Sequence, residues 1–223
     1  VGAPVADLLP RMIDRLEKRE DLWRPGFGDP REPGYDEAFV IGDAIADLGR
    51  FDLPRMLPLL GVENWDISYA AQEAFDRHGV EGLRFLAAAY DGMRPEQKTE
   101  ALDVAGSAFF KSGEAAALRH EPARALVRKG LADPSPAMRL EAVKALRKDP
   151  EQRAALTLPV LVALLDVENE EIRSRAAYQL SSLGKAAAPA RADIEARLPG
   201  LRKATARTLR KLLETLDGKD AAK

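Results

Sequence analysis

The stretch Leu164-Leu165-Asp166-Val167-Glu168-Asn169-Glu170-Glu171-Ile172 has a counterpart 105 positions earlier, Leu59-Leu60-Gly61-Val62-Glu63-Asn64-Trp65-Asp66-Ile67. The two share Leu-Leu-x-Val-Glu-Asn and then Ile, without a gap. The register continues through Ala71 and Ala176, Phe75 and Leu180, and Gly79 and Gly184. Self-similarity at a fixed spacing marks a repeat architecture, and the offset divides into three units of about 35 residues. A further copy lies between them. Asp133-Pro134-Ser135-Pro136 leads into Arg139, Ala142 and Leu146 as Asp166 leads into Arg173, Ala176 and Leu180.

Each unit reads as two helices. Ile172, Ala176, Leu180 and Leu183 fall on one helical face. Gly184 stands where such a helix ends, because glycine enters the left-handed conformation without a Cβ clash. A second helix follows through Pro189 to Leu198. One pair cannot bury its apolar stripe alone, whereas stacked pairs cover one another. Composition agrees with an all-α fold: the 223 residues include 30 Leu and 38 Ala but 22 Val, Ile and Thr together. Unbranched side chains lose little rotamer freedom in a helix, while β-branched ones favour strands.

The pattern resembles the HEAT-repeat family, including its bacterial HEAT-like members. The residues that carry the resemblance are Asp133, Arg139, Ala142 and Leu146, then Asp166, Arg173, Ala176, Leu180 and Gly184. It implies an α-solenoid of about six stacked antiparallel helix pairs, forming one domain over residues 1–223. It also implies a ladder in which the turn residues Asp133 and Asp166 and the helix residues Arg139 and Arg173 bond between neighbouring repeats. The function it implies is that of an interaction scaffold that holds a protein partner on the solenoid surface.

Helices are expected near 4–19, 36–49, 53–60, 65–78, 80–91, 95–111, 121–132, 136–148, 151–166, 169–184, 187–198 and 200–216. The tail 217–223 is polar and expected to fray. Val1-Gly2-Ala3-Pro4 is similar to the turn around Leu183-Gly184 and Pro189, and no initiator Met is present. The chain is therefore expected to begin inside a longer array.

Two segments depart from the repeat. Residues 20–35 hold Pro25, Pro30 and Pro33 with Gly26, Gly28 and Gly34, so they read as a long loop rather than a helix. The loop carries Trp23, Phe27 and Tyr35, the expected contacts for a protein partner, unless they fold back to cap a groove. The last helix carries Lys203, Arg207, Arg210 and Lys211 on one side, with no acidic residue between Glu195 and Glu214. That stripe reads either as the polar face of a capping helix or as a patch for nucleic acid or another polyanion. The absence of aromatic residues there weakens a single-strand reading.

The net charge of −2 conceals an asymmetry. Residues 1–120 hold 14 Lys/Arg against 22 Asp/Glu, and residues 121–223 hold 20 against 14. An acidic end and a basic end face different partners, or permit weak head-to-tail association. With no cysteine, thiol catalysis, thiolate-held zinc and iron–sulfur clusters are excluded. No apolar run approaches the roughly 20 residues of a membrane helix. The expected setting is soluble and cytoplasmic, with no cofactor and no metal.

Catalytic motifs are lacking. His78 precedes Gly79 at a helix end, where a cation complements the dipole. His120 is expected between helices, without a partner. Asp43 and Asp47, like Glu96 and Glu100, lie one turn apart, a common arrangement on a solvated helix face. Trp65, Asp66 and Tyr69 loosely resemble the aromatic and acidic set of HEAT-like alkylpurine DNA glycosylases, but the acidic first half opposes phosphate binding. Trp65 also fits as a helix-start residue packed on the previous unit. The chain is thus expected to be non-catalytic.

Overall fold

The computed structural model describes residues 4–17, 35–49, 52–110, 114–149 and 152–218. Among them every regular element is helical. The elements are α1 (Pro4–Glu17), α2 (Tyr35–Gly49), α3 (Leu53–Met56), α4 (Trp65–His78), α5 (Val80–Ala89) and α6 (Pro95–Ala108). They continue with α7 (Glu114–Leu131), α8 (Pro136–Ala145), α9 (Arg153–Leu164), α10 (Glu170–Leu183), α11 (Arg191–Arg197) and α12 (Lys203–Leu216). Tighter 3-10 turns extend several of them, the longest being Gly184–Ala190. No helix among the described residues is long and apolar enough to cross a membrane.

The chain forms two compact units, residues 1–126 and 127–223, and the division falls within α7. In the first unit α4 packs against α2, α5 and α6, and α1 packs against α2. Ile45, Met56, Leu60, Ile67, Ala71, Phe75 and Leu86 make its core. In the second unit α10 packs against α8, α9 and α12. Leu140, Leu146, Leu161, Leu165, Ala176, Leu180, Ile194 and Leu209 are buried there.

The repeated segment produces the same local structure twice. Asn64 starts α4 with its side chain accepting from the Ile67 N–H at 3.3 Å. Asn169 starts α10 by accepting from Ile172 N–H at 3.2 Å and from Glu171 N–H at 3.0 Å. Each satisfies donors that the first helical turn leaves open. Gly79 ends α4 at φ 69°, ψ −127°, and Gly184 ends α10 at φ 54°, ψ −129°. Side chains rarely adopt that backbone region, which accounts for glycine at both stops. Between start and stop, Ala71 and Phe75 are buried as Ala176 and Leu180 are.

Several boundaries differ from expectation. Helix α7 starts at Glu114 rather than near residue 121, and carries Pro122 inside it. A start at residue 121 would put Pro122 in the first turn, where proline is best tolerated. The Ala115-Ala116-Ala117 run, with high helix propensity, extends the helix upstream instead. The helix expected over 187–198 is a 3-10 segment followed by the short α11. Helix α6 stops at Ala108, short of residue 111.

Candidate functional site

Two of the sequence-predicted contacts, Trp23 and Phe27, lie outside the described residues. Tyr35 is the first residue of α2.

A continuous line of polar and aromatic contacts runs along α4. Trp65, Tyr69, Glu73 and Arg77 are spaced one turn apart, so they form a single stripe. Trp65 and Tyr69 stack, with ring centroids 5.0 Å apart and planes 15° from parallel. Both are on the surface, Trp65 60% and Tyr69 41% exposed. This corrects the expectation that Trp65 packs on the previous unit: at the first position of α4 its ring turns along the helix onto Tyr69. The Tyr69 hydroxyl donates to Glu73 at 3.5 Å, and Arg77 reaches Glu73 at 3.4 Å. Burial, then the neighbouring Glu73 charge, pushes the Tyr69 phenol above its ordinary value.

Arg77 closes the stripe against α2. It pairs with Asp47 at 2.8 Å and with Asp43. These hydrogen bonds, chiefly that to Asp43, raise the guanidinium pKa and keep the side chain charged. On the other flank α4 meets α6. Gln72 donates to Glu100, and Ser107 donates to Asp76 at 3.3 Å. Arg119 of α7 also pairs with Asp76 at 3.2 Å. Burial, and then Asp103, raises the Glu100 pKa against the opposing Gln72 bond.

The charge of this row is lopsided. Helices α2, α4 and α6 carry ten Asp/Glu and two Lys/Arg. Helices α8, α10 and α12 carry four and eight. On α12 the side chains of Lys203, Arg207, Arg210 and Lys211 are exposed and form no ion pair among the described residues. The nearby arginines differ. Arg173 holds Glu170 at 2.6 Å, Arg191 holds Asp217 at 2.5 Å and Arg197 holds Asp166 at 2.9 Å.

The four residues named for an inter-repeat ladder sit as follows. Asp133 is buried, and its carboxylate accepts from the Ser135 N–H at 2.8 Å, which shapes the turn before α8. Asp166 is gripped by Arg197 through Nε and Nη2. Arg173 lies against Glu170 on its own helix. Arg139 lies on α8 with a buried Nε. Of the histidines, His78 is the last residue of α4. His120 lies inside α7, not between helices, and its ring sits 5.5 Å from that of Phe109.

Trp65 and Tyr69 were noted from sequence beside Asp66, but their outward stacking and the clamp on Arg77 were not. The one-turn spacing of Trp65, Tyr69, Glu73 and Arg77 was the available signal; which face of α4 it occupied was not.

No family model matches the chain. No curated protein matches it. Among solved structures it is similar to the crystal structure of an engineered protein, a Northeast Structural Genomics Consortium target. That match has 18% identity and a TM-score of 0.47, and covers 80% of this chain and 84% of that one.

Proposed function

We propose that the chain is a HEAT-like stack of helix pairs acting as a non-catalytic scaffold for a protein partner. One observation carries this reading: α4 keeps a stacked Trp65–Tyr69 pair at its surface while the rest of its apolar side chains are packed inward. Aromatic side chains offer large, rigid contact area and dominate protein interfaces. The recurrence of the Asn start and glycine stop supports the repeat reading, since stacked pairs of this kind create extended binding surfaces. The test is affinity capture from the host extract at low and high salt, with wild type and Trp65→Ala side by side. Retention of a discrete protein by wild type and its loss from the variant is the expected result. Equal retention by both removes the support.

A second reading rests on α12. Its four exposed cations lack ion-pair partners among the described residues, which suits a polyanion such as nucleic acid. Lys203→Glu/Arg207→Glu then abolishes retention of nucleic acid in the same capture. Unchanged retention ends that reading.

A further inference from the structure

The repeat register singles out Trp65. Its counterpart is Glu170, 105 positions later. Glu170 is tied down: Thr205 donates to it at 2.7 Å, Arg173 pairs with it at 2.6 Å and Arg202 approaches at 3.7 Å. In the second unit this position fastens α10 to the segment that starts α12. In the first unit the same position holds an indole that is 60% exposed and touches Tyr69 on its own helix. The start of α6 is fastened by other means. Gln97 donates to the Leu57 carbonyl at 2.7 Å and accepts from the Arg94 N–H at 2.9 Å. Trp65 is therefore released from the job its counterpart does.

The surroundings of the ring set the chemistry of its partner. Three carboxylates, Asp43, Asp47 and Glu73, share the single guanidinium of Arg77. Asp66 lies beside Trp65 in sequence, and Glu96 and Asp103 are exposed on α6. Along α4 and its flanks the carboxylates leave a net negative charge on a surface that begins with the aromatic pair. A polyanion is repelled by it. A cation is attracted by the carboxylates and by the negative face of the indole, the strongest of the aromatic side chains in this contact.

We propose that the α2–α4–α6 face docks a basic polypeptide segment, with an arginine or lysine of the partner lying on Trp65 and others paired to the carboxylates beside α4. The proposal rests on the scaffold reading and adds the chemical nature of the partner. From Trp65 to Arg77 the stripe spans about 18 Å at 1.5 Å per residue. An extended segment of about six residues covers that length.

The test uses the whole chain and a fluorescein-labelled nona-arginine peptide, with nona-glutamate as control, read by anisotropy at low and high salt. Binding of the basic peptide alone is expected. Trp65→Ala weakens it by about fivefold, the loss of one exposed cation–π contact. Glu96→Gln/Asp103→Asn weakens it as well, and high salt weakens it further by screening. Lys203→Glu/Arg207→Glu leaves it unchanged. In a Trp23→Phe background, peptide binding changes the emission of the remaining tryptophan. Undiminished binding to Trp65→Ala overturns the proposal, as does failure of the peptide to bind. Self-association that Lys203→Glu/Arg207→Glu abolishes, without peptide binding, makes a second copy the occupant and also overturns it. If the peptide is inert but Trp65→Ala still loses a captured protein, the scaffold reading stands and the basic partner falls. If Trp65→Ala changes neither, both fall.

Discussion

Thr205 donates its hydroxyl to Glu170 across 2.7 Å, joining the first turn of α12 to the first turn of α10. This bond is the largest of the influences that hold the Glu170 carboxyl below its ordinary value; Arg173 and Arg202 add to it. A carboxyl depressed by folding stabilises the fold above its unfolded pKa. That contribution is lost as pH falls through the depressed value. Thr205→Val returns Glu170 toward ordinary titration, and acid unfolding then sets in at higher pH. Carboxyl-resolved NMR titration and circular dichroism across the acid range measure the two effects. An unmoved Glu170 titration shows that the arginines alone set its pKa.

Asn64 and Asn169 perform one task on two helices. Replacing either by Ala leaves first-turn N–H groups to water and costs about 1 kcal/mol, whereas Ser or Asp preserves most of the stability. Urea unfolding measures the difference. A loss in Asn169→Ala with none in Asn64→Ala contradicts the equivalence of the two starts.

Three glycines separate backbone strain from crowding. A Cβ at Gly184 meets nothing within 4 Å, so the cost of Gly184→Ala is that of its positive-φ backbone, about 1–3 kcal/mol. At Gly82 an added Cβ would stand 2.1 Å from the Phe75 carbonyl oxygen, where α5 crosses close to α4. Gly82→Ala forces those helices apart and is the most damaging of the three. Gly200→Ala has open space and no positive φ, and changes stability by less than about 0.5 kcal/mol. In thermal melts Gly82→Ala loses most, Gly184→Ala less and Gly200→Ala least.

Phe75 and Trp65 share α4 but differ in burial. Phe75 is fully buried and stacks on Phe85 at 5.8 Å. Phe75→Ala costs about 3–5 kcal/mol through lost burial and the cavity left behind. Trp65→Ala changes stability by within about 0.5 kcal/mol, as surface substitutions usually do. A large loss on removing Trp65 shows that its ring supports the fold rather than a contact.

The helical class, and both ends of α4, were legible because their signals are local. Asn64 and Gly79 act through their own backbone, and Phe75 through its position on an apolar stripe. The start of α7 was not legible, because Pro122 signals a first turn wherever it stands and the preceding alanines carry little positional information. Likewise, the 3-10 geometry of Gly184–Ala190 depends on how tightly α10 and α11 are joined, which spacing does not encode. The surface of interest was half legible. Its aromatic residues were noticed, but their exposure depends on what α2 and α6 leave uncovered. The ion pairs of Arg77 with Asp47 and Asp43 span 30 and 34 residues of chain and leave no local trace.

The segment from Asn64 to Gly79 carries its own start, its own buried stripe and its own stop within sixteen consecutive residues. Such a segment is a portable cassette. Gene duplication, or a designer, can move it whole, because neither helix end borrows a hydrogen bond from the next pair to be correctly terminated. The Asn169–Gly184 segment keeps the same punctuation and differs in the residue after the start, an indole at Trp65 and a carboxylate at Glu170.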